Sequence, residues 1–228
     1  RRVMPADRLV RLPEDIPDDT AAAMMLRGMT VHYLLRRTWP VAAGQHVLVH
    51  AAAGGVGIIL CQWARHLGAE VIGIVGSPEK ADLAMEHGAN HVIVGAGEGF
   101  ADRVREITDG RGVDVVYDSV GRDTFMGSLD CLRPLGMMVS FGTASGPVPP
   151  VDPAVLAGKG SLFFTRPSLF HYIAAREDLE WAASELFEMV RTGVVAVPIH
   201  QRYPLRETAR AHEDMEARRT TGSSILLP

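Results

Sequence analysis

The sequence predicts an α/β fold in which helices cover both faces of a doubly wound parallel sheet. Short apolar runs recur along the middle of the chain, helical patterns separate them, and a glycine-rich turn follows the first run. The runs show no polar alternation, which is typical of strands buried on both faces. A chain of 228 residues is also long enough to bury a sizeable core.

The individual elements can be placed in order along the chain. Before the first strand we expect two helices, at residues 18–26 and 29–37, and Asp18 and Asp19 suit the first turn of the earlier one. The strands of the sheet are predicted at residues 46–50, 71–75, 91–94, 113–117, 137–141 and 162–164. The helices between them are predicted at residues 58–67, 78–87, 100–108 and 124–132.

The pattern changes after Arg176, where a different layer of structure is expected. Four elements are predicted in this tail: a helix at 177–191, a strand at 194–203, a helix at 205–218 and a strand at 224–227. We expect the tail to pair with residues before Leu12, which have the pattern of the end of a strand followed by a turn. On this ground we expect the chain to be the C-terminal portion of a larger protein.

The composition bears on the class of function. The formal net charge is −4, from 23 Lys and Arg against 27 Asp and Glu, and no basic stripe favours a nucleic-acid partner. The two cysteines, Cys61 and Cys131, form no C-x-x-C motif, so we expect a reducing cytoplasm. No apolar run approaches the roughly 20 residues that cross a bilayer. These features are ordinary for a soluble enzyme of the cytoplasm.

The glycine-rich turn is the most informative motif. The segment HVLVHAAAGGVG at residues 46–57 joins an apolar strand to a helix through a tight turn. Gly54 lets the backbone approach a ligand and Gly57 lets the helix pack on the strand, while Ala52 replaces the usual first glycine. Such a turn presents backbone N–H groups and a helix N-terminus to a pyrophosphate. The motif therefore favours dinucleotide binding, with a simple tight connection as the alternative.

The end of the second strand bears on which dinucleotide binds. An NAD-preferring site usually places Asp or Glu there, but this sequence has Gly76 and Ser77. Ser77 and Pro78 suit a helix N-cap and first helical position, which places Lys80 in the first turn, where the macrodipole disfavours a cation. A 2′-phosphate would reverse that cost, so we interpret Gly76, Ser77 and Lys80 as an NADPH adenosine pocket. The alternative is that Lys80 is a solvated lysine beside Glu79.

Further candidates lie near the carboxyl ends of predicted elements, where ligands bind in such sheets. They are Tyr33, Asp118, Ser119, Phe141 and Gly142. Tyr33 is either a contact of a nicotinamide ribose or a half-buried core tyrosine, and Asp118 and Ser119 can equally cap the next helix. The histidines form neither H-x-x-x-H nor H-E-x-x-H, so no metal site is expected, and the nucleophile elbow G-x-S-x-G is absent.

Several longer segments carry a resemblance to a known family. They are RGMTVHYLL at 27–35, HAAAGGVG at 50–57, VYDSVG at 116–121, VSFG at 139–142, TRPSL at 165–169 and TGSS at 221–224. On these segments the chain resembles the zinc-independent quinone oxidoreductases of the medium-chain dehydrogenase/reductase superfamily, the zeta-crystallin-like group. The resemblance runs from Val3 to Pro228 and covers essentially the whole chain.

The resemblance implies NADPH-dependent hydride transfer to quinones or related electron-poor carbonyl and alkene substrates, without a metal ion. It implies a homodimer that pairs through the edge strand at 162–164. It also implies NADPH contacts at Tyr33, Ala53, Gly54, Gly55, Val56, Gly76, Ser77, Lys80, Ser119, Phe141, Gly142, Thr143, Thr165, Arg166, Pro167, Ser168, Leu169 and Arg218. It identifies no catalytic residue within this sequence.

The resemblance further divides the chain into a Rossmann domain at 21–169 and two segments, 1–20 and 170–228, of a GroES-like, β-rich catalytic domain. Because most of that domain lies outside this sequence, we expect the chain alone to be weakly active or inactive. Residues 24–26 (Met-Met-Leu) fit the zinc-free branch, since zinc-dependent relatives place a Cys or Asp ligand in this region. Gly95 departs from the family, whose members often carry a tyrosine there against the adenosine, so a lower NADPH affinity is expected.

Two other functions stay open at this point. An enoyl or alkenal reductase shares the same scaffold, and the substrate domain would separate it from a quinone reductase. A non-catalytic, crystallin-like protein that binds NADPH or RNA is the other alternative. The net charge of −4 and the scattered cations argue against RNA as a main partner.

Overall fold

Six parallel strands form the central sheet of the computed structural model, which describes residues 3–95, 97, 99–217 and 219–228. The strands are β1 (His46–His50), β2 (Glu70–Val75), β3 (His91–Val94), β4 (Val113–Asp118), β5 (Leu132–Ser140) and β6 (Phe163–Thr165). Their order is β3-β2-β1-β4-β5-β6, and each neighbouring pair is parallel. This is the strand order of a doubly wound sheet, so the predicted fold class is confirmed.

Helices connect the strands and cover both faces of the sheet. They are α1 (Asp18–Tyr33), α2 (Gly55–His66), α3 (Ala81–Glu86), α4 (Phe100–Ile107), α5 (Phe125–Cys131), α6 (Ala154–Gly158), α7 (Leu169–Tyr172), α8 (Arg176–Arg191) and α9 (Thr208–Glu216). The predicted strands and helices of the sheet domain are confirmed, most of them to within a few residues. The helices α6 and α7, of five and four residues, are too short to leave a periodic pattern in the sequence.

The side chains of the sheet alternate between two apolar layers. On β1, Val47 and Val49 join the layer that holds Trp63 of α2 and Leu186 of α8, whereas Leu48 joins the opposite layer. Phe100 of α4 and Phe125 of α5 lie in that second layer. Each fully buried large apolar side chain contributes about 1.5–3 kcal/mol, so the two layers fix the sheet and with it the loops at its edge.

The two helices predicted before the first strand are a single helix, α1, which continues into a π-helical turn at Leu34–Thr38. The prediction of a break near Gly28 is therefore wrong. A Cβ at Gly28 would lie 2.4 Å from Cδ1 of Leu186, so this glycine lets α8 pack closely on α1. A glycine inside a helix costs about 1 kcal/mol relative to alanine, and close packing of two helices offsets that cost.

The C-terminal tail is organised differently from the prediction. The strands β7 (Ile199–Pro204) and β8 (Ser223–Leu227) pair with each other in parallel, and within the described chain neither pairs with residues before Leu12. The early segment is also not a strand in its described part, which holds a 3₁₀ turn at Ala6–Arg8. A sequence pattern identifies a strand by its residues but carries no information on which partner completes its hydrogen bonds.

The strand predicted at residues 194–203 is shorter in the structure, because β7 begins only at Ile199. The side chain of Gln62 takes the backbone groups of Ala196 instead, donating to its carbonyl at 2.9 Å and accepting from its N–H at 2.9 Å. Pro198, just before β7, has no N–H to give to a ladder. A side chain of α2 thus replaces the expected strand pairing.

The proposed division into segments 1–20, 21–169 and 170–228 stays a prediction. One contact crosses the boundary between 21–169 and 170–228, since α8 packs on α1 through Gly28 and Leu186. An ion pair of 2.9 Å between Arg202 of β7 and Asp19 joins the two outer segments to each other. No helix among the described residues combines the length and the apolar character that crossing a membrane requires.

Candidate functional site

The turn between β1 and α2 has the geometry of an anion-binding site. Ala51 adopts the left-handed region at φ +51°, and the N–H of Gly54 donates to the carbonyl of Ala51 at 2.8 Å. A Cβ at Gly57 would lie 2.3 Å from that same carbonyl oxygen, so the predicted packing role of Gly57 is confirmed. No side chain caps the start of α2, which leaves the N–H groups of its first turn available to an anion.

The end of the chain closes over this turn. Gly54 and Gly222 form an isolated parallel bridge, and the N–H of Gly222 donates to the carbonyl of Ala53 at 3.3 Å. The loop between α9 and β8 therefore borders the glycine turn. Arg218, the predicted cofactor contact in this loop, lies outside the described residues.

A cavity of about 480 Å³ opens at the carboxyl ends of β5 and β6. It is lined by Thr30, Tyr33, Phe141, Arg166, Pro167, Ser168 and Leu169. The structure thus brings together six of the predicted site residues, which come from three separate stretches of the sequence. Thr30 was missed, although its position one helical turn before Tyr33 places both on one face of α1.

Tyr33 lines this cavity and is almost fully buried, so it is a core tyrosine, and its contact with a nicotinamide ribose stays a prediction. Its ring stacks on the ring of Tyr172 in α7, with centroids 4.5 Å apart and planes 16° apart. Thr38 donates to the hydroxyl of Tyr172 at 3.0 Å, and Arg37 donates to the Tyr172 carbonyl at 2.8 Å. Burial, followed by the nearby Tyr172, raises the pKa of Tyr33 to about 12, so its phenol is a hydrogen-bond donor at neutral pH.

The ends of β4 and β5 meet beside the cavity. A Cβ at Gly142 would lie 2.5 Å from the carbonyl oxygen of Ser119, and the N–H of Ala144 donates to that oxygen at 3.1 Å. Gly142 therefore permits the close approach of two predicted site segments. Thr143 and Arg166 also line a neighbouring cavity of about 400 Å³ at the sheet edge.

Asp118 accepts four hydrogen bonds from neighbouring residues and lines neither cavity. Its Oδ1 accepts the N–H groups of Val120 and Gly121 at 2.7 and 3.1 Å, and its Oδ2 accepts the hydroxyls of Thr124 and Ser128 at 2.7 and 3.1 Å. Three of the donors belong to the segment that leads into α5, and Ser128 belongs to α5 itself. Asp118 therefore has a structural role, whereas a contact with a ligand stays a prediction. The alternative that Asp118 or Ser119 caps α5 is wrong, because Thr124 occupies the N-cap position and no side chain caps this helix.

A buried histidine extends this network. Nε2 of His50 lies 2.8 Å from Oγ of Ser128, and because Ser128 donates to Asp118 its oxygen accepts from His50. His50 is then the Nε2–H tautomer, and its buried Nδ1 has no hydrogen-bond partner among the described residues. Burial lowers the pKa of His50, which keeps the ring neutral beside Phe100.

The predicted adenosine pocket lies at the carboxyl end of β2. Ser77 precedes a 3₁₀ turn, Pro78–Lys80, so the predicted N-cap, first position and place of Lys80 are confirmed, although the turn is 3₁₀ before α3 begins. The Ser77 hydroxyl donates to Glu79 and lowers the pKa of that carboxyl. A Cβ at Gly76 would meet nothing within 4 Å, so this edge is open.

Gly95, at the end of β3, has φ +87°, a backbone conformation that a tyrosine would adopt only with strain. The expectation that Gly95 lowers the affinity for NADPH stays a prediction. Among the described residues, no three His, Cys, Asp or Glu side chains lie close enough together to share a metal ion. Cys61 and Cys131 are both buried and unpaired.

Comparison with known proteins adds independent observations. Residues 55–188 match the family described as zinc-binding dehydrogenase. A quinone oxidoreductase from Pseudomonas aeruginosa is 52% identical over 226 residues, which are 99% of this chain and 70% of the relative. A 2-haloacrylate reductase from a Burkholderia species is 49% identical over 230 residues, which are 100% of this chain and 69% of the relative.

The fold is also similar to that of a solved structure. Escherichia coli quinone oxidoreductase, crystallised in complex with NADPH, superimposes with a TM-score of 0.95 and 51% identity. The superposition covers 98% of this chain and 69% of that one. Similarity thus extends over both the glycine turn and the cavity at the sheet edge.

Proposed function

The chain belongs to the zinc-binding dehydrogenase family of the medium-chain dehydrogenase/reductase superfamily, alongside the quinone oxidoreductases, and we propose that it transfers a hydride from NADPH to quinones. The chain is an NADPH-dependent reductase, as its similarity to relatives at about 50% identity shows. Related electron-poor carbonyl and alkene compounds belong to the same proposed substrate class. The substrate and the residues that hold the cofactor are the parts that experiment must test.

One observation carries the proposal: an uncapped helix N-terminus and an aromatic cavity lie at the carboxyl edge of the same parallel sheet. Ligands of such sheets bind at this edge, beside the strand where the order reverses. The residues that would hold the cofactor are Tyr33, Ala53, Gly54, Gly55, Val56, Gly76, Ser77, Lys80, Ser119, Phe141, Gly142, Thr143, Thr165, Arg166, Pro167, Ser168, Leu169 and Arg218. Bound NADPH would supply the hydride.

The protein's own residues would orient the reactants and exclude water. Tyr33 is held by its stacked partner Tyr172 and keeps its proton, so it would donate a hydrogen bond and would not act as a base. Arg166 lines the cavity, and its positive charge would stabilise the negative charge that hydride addition leaves on a substrate oxygen. Neither of these roles requires Tyr33 or Arg166 to give up its proton.

The zinc ion that the family description implies does not fit the described residues. No cluster of three ligand-type side chains occurs among them, and Met24, in the region where the resemblance expects a ligand in zinc-dependent relatives, is fully buried in the core. We therefore propose a reaction without metal. Activity that survives exhaustive chelation would support this, and activity restored only by added zinc would contradict it.

The 2′-phosphate of NADPH would bind at Gly76, Ser77 and Lys80. The test is calorimetric titration of NADPH and NADH into the chain and into Lys80→Ala. We expect NADPH to bind roughly tenfold more weakly to the variant, while NADH binding is unchanged, because a charge-assisted contact is lost. Glu79→Gln is the matched control: removing a negative charge beside Ser77 should strengthen NADPH binding. Equal losses for both dinucleotides would refute this assignment.

Reduction of an activated carbon–carbon double bond is a second candidate. The 49% identity to a 2-haloacrylate reductase favours it. Oxidation of NADPH can be followed at equal concentrations of 1,4-benzoquinone and 2-chloroacrylate. A larger kcat/KM for the quinone supports the first proposal, and turnover of the haloacrylate alone supports the second.

We also propose that the protein forms a homodimer in which β6 pairs with the same strand of a second copy. We further propose that it is located in the cytoplasm. The strand β6 ends the sheet and pairs only with β5 among the described strands, and Phe163 and Phe164 on it are 53% and 42% exposed. Buried, unpaired Cys61 and Cys131 suit a reducing compartment. Light scattering should give twice the chain mass, and Phe163→Glu should give a monomer. Phe170→Glu, at an exposed site outside the strand, is the control and should leave the mass unchanged.

A further inference from the structure

Helix α1 presents a line of polar side chains toward the site. Arg27, Thr30 and Tyr33 are spaced three residues apart and so lie on one face of α1, on consecutive turns. Thr30 and Tyr33 line the cavity at the sheet edge. Arg27 lies on the same face, nearer the N-terminus of α1, and its guanidinium is beside Gly55 at the start of α2.

The contact between Arg27 and α2 is close. A Cβ at Gly55, the first residue of α2, would lie 2.7 Å from both Cζ and Nε of Arg27. Gly55 is not among the glycines with a positive φ, so no unusual backbone angle requires a glycine there. Its lack of a side chain instead makes room for a guanidinium beside the uncapped N-terminus of the helix.

The guanidinium has no carboxylate partner in the part of the chain that the structure describes. Its Nη1 is buried without a hydrogen bond, and no carboxylate there forms an ion pair with it. Burial lowers the pKa of Arg27, which reflects the cost of holding the charged form there. A partly buried, unpaired cation next to the positive end of a helix is unfavourable unless an anion binds between them.

We propose that Arg27 binds the pyrophosphate of the dinucleotide and so anchors it between the glycine turn and the cavity. The inference rests on the proposed function, because it takes the anion to be the cofactor's own diphosphate. The diphosphate joins the two halves of the cofactor. One face of α1 carries Arg27 beside the glycine turn, and Thr30 and Tyr33 at the cavity at the sheet edge. Arg27 is therefore a positioning residue for the hydride donor, distinct from Lys80 at the 2′-phosphate.

The test compares Arg27→Met and Lys80→Ala in titrations of NADPH and of NADH. Both dinucleotides contain the diphosphate, but only NADPH carries the 2′-phosphate. We expect Arg27→Met to weaken both by roughly tenfold or more and by the same factor, whereas Lys80→Ala weakens NADPH alone. Arg27→Lys, which keeps the charge but not the planar fork, should fall between the native chain and Arg27→Met.

Thermal unfolding of the free chain provides a readout that does not depend on binding. Removal of an unpaired, partly buried cation should leave the Tm of Arg27→Met equal to or above that of the native chain, which also shows that the variant folds. An unchanged Kd for both dinucleotides would overturn the role of Arg27, and so would a loss confined to NADPH. Failure of the native chain to bind either dinucleotide would instead overturn the proposed function itself, and the inference with it.

Discussion

The two ends of β4 stabilise a buried aspartate in different ways. Each carries a buried aspartate, Asp114 at the amino end and Asp118 at the carboxyl end. Asp114 is neutralised by cations: Arg111 and Arg133 each approach its Oδ1 at 2.7 Å. Asp118 is surrounded by neutral donors only, two hydroxyls and two backbone N–H groups, together with His50 one bond further away.

The two ends of the strand therefore differ in whether arginine side chains are used to pair a buried carboxylate. At the amino end, arginines are committed to a structural carboxylate. At the carboxyl end, neutral dipoles satisfy the carboxylate, so Arg27 and Arg166 keep their charge without a carboxylate partner among the described residues. The edge that we propose as the cofactor site thereby keeps two cations that can attract an anion.

The largest expected effect is the loss of the Asp118 network. Asp118→Ala leaves two buried hydroxyls and two loop N–H groups unpaired, which should lower the free energy of unfolding by about 3–5 kcal/mol. Urea denaturation measures the change. Asp118→Asn, which keeps Oδ1 for the loop N–H groups, should cost clearly less. If Asp118→Ala costs less than removal of Asp114, the contrast between the two ends is wrong.

Packing of the glycine turn comes next in size. Gly57→Ala would place Cβ against the backbone of Ala51 and Ala52 and should lower the free energy of unfolding by about 2–3 kcal/mol. The matched control is Gly76→Ala at the neighbouring strand end, where Cβ meets nothing and the effect on unfolding should stay below about 0.5 kcal/mol. Equal effects in the same urea titration would show that the glycine turn is not so tightly packed.

The amino end should show its charge through pH. Burial raises the pKa of Asp114, but the hydrogen bonds from Arg111, Arg133 and the backbone N–H of His46, together with the charge of Arg111, hold it below its ordinary value of 3.8. Its stabilisation is therefore present above that value and lost as pH falls through the lower folded pKa. Asp114→Asn should cost about 1–2 kcal/mol at neutral pH and flatten the acid limb of a stability profile. An acid limb as steep as the native one would contradict this.

The smallest effect concerns Tyr33 at the carboxyl end. Because its folded pKa is raised to about 12, its neutral form stabilises the protein fully below pH 10, and this contribution is lost as pH rises toward 12. Tyr33→Phe should reduce the loss of stability above about pH 10 and leave the profile near neutral pH unchanged. A change in the profile between about pH 6 and pH 8 would reveal an ionisation that this geometry does not explain.

Much of the molecule could be predicted without coordinates. The alternation of apolar runs and helices predicts the six strands and their parallel arrangement, and the spacing of Gly54 and Gly57 predicts the turn into α2. These features are local, since burial on both faces and a tight connection act on neighbouring residues. The cavity residues at 166–169 came from the resemblance to a family and not from any local pattern.

Tertiary structure decided the rest, because it depends on groups that are distant in sequence. The sequence predicts a break between two helices near Gly28, whereas in the structure this glycine lets Leu186 of α8 pack on α1. The strand β7 is predicted to start earlier, but Gln62 binds the backbone groups of Ala196 before it. In the sequence Asp118 is a candidate for a ligand contact or a helix cap, and in the structure Thr124 and Ser128 donate hydrogen bonds to its carboxylate. The sequence by itself determined where the chain forms strands, helices and the glycine turn, whereas only the packed structure decided which charges stay unpaired and available to a ligand, since hydrogen bonds and burial are settled by contacts across the fold.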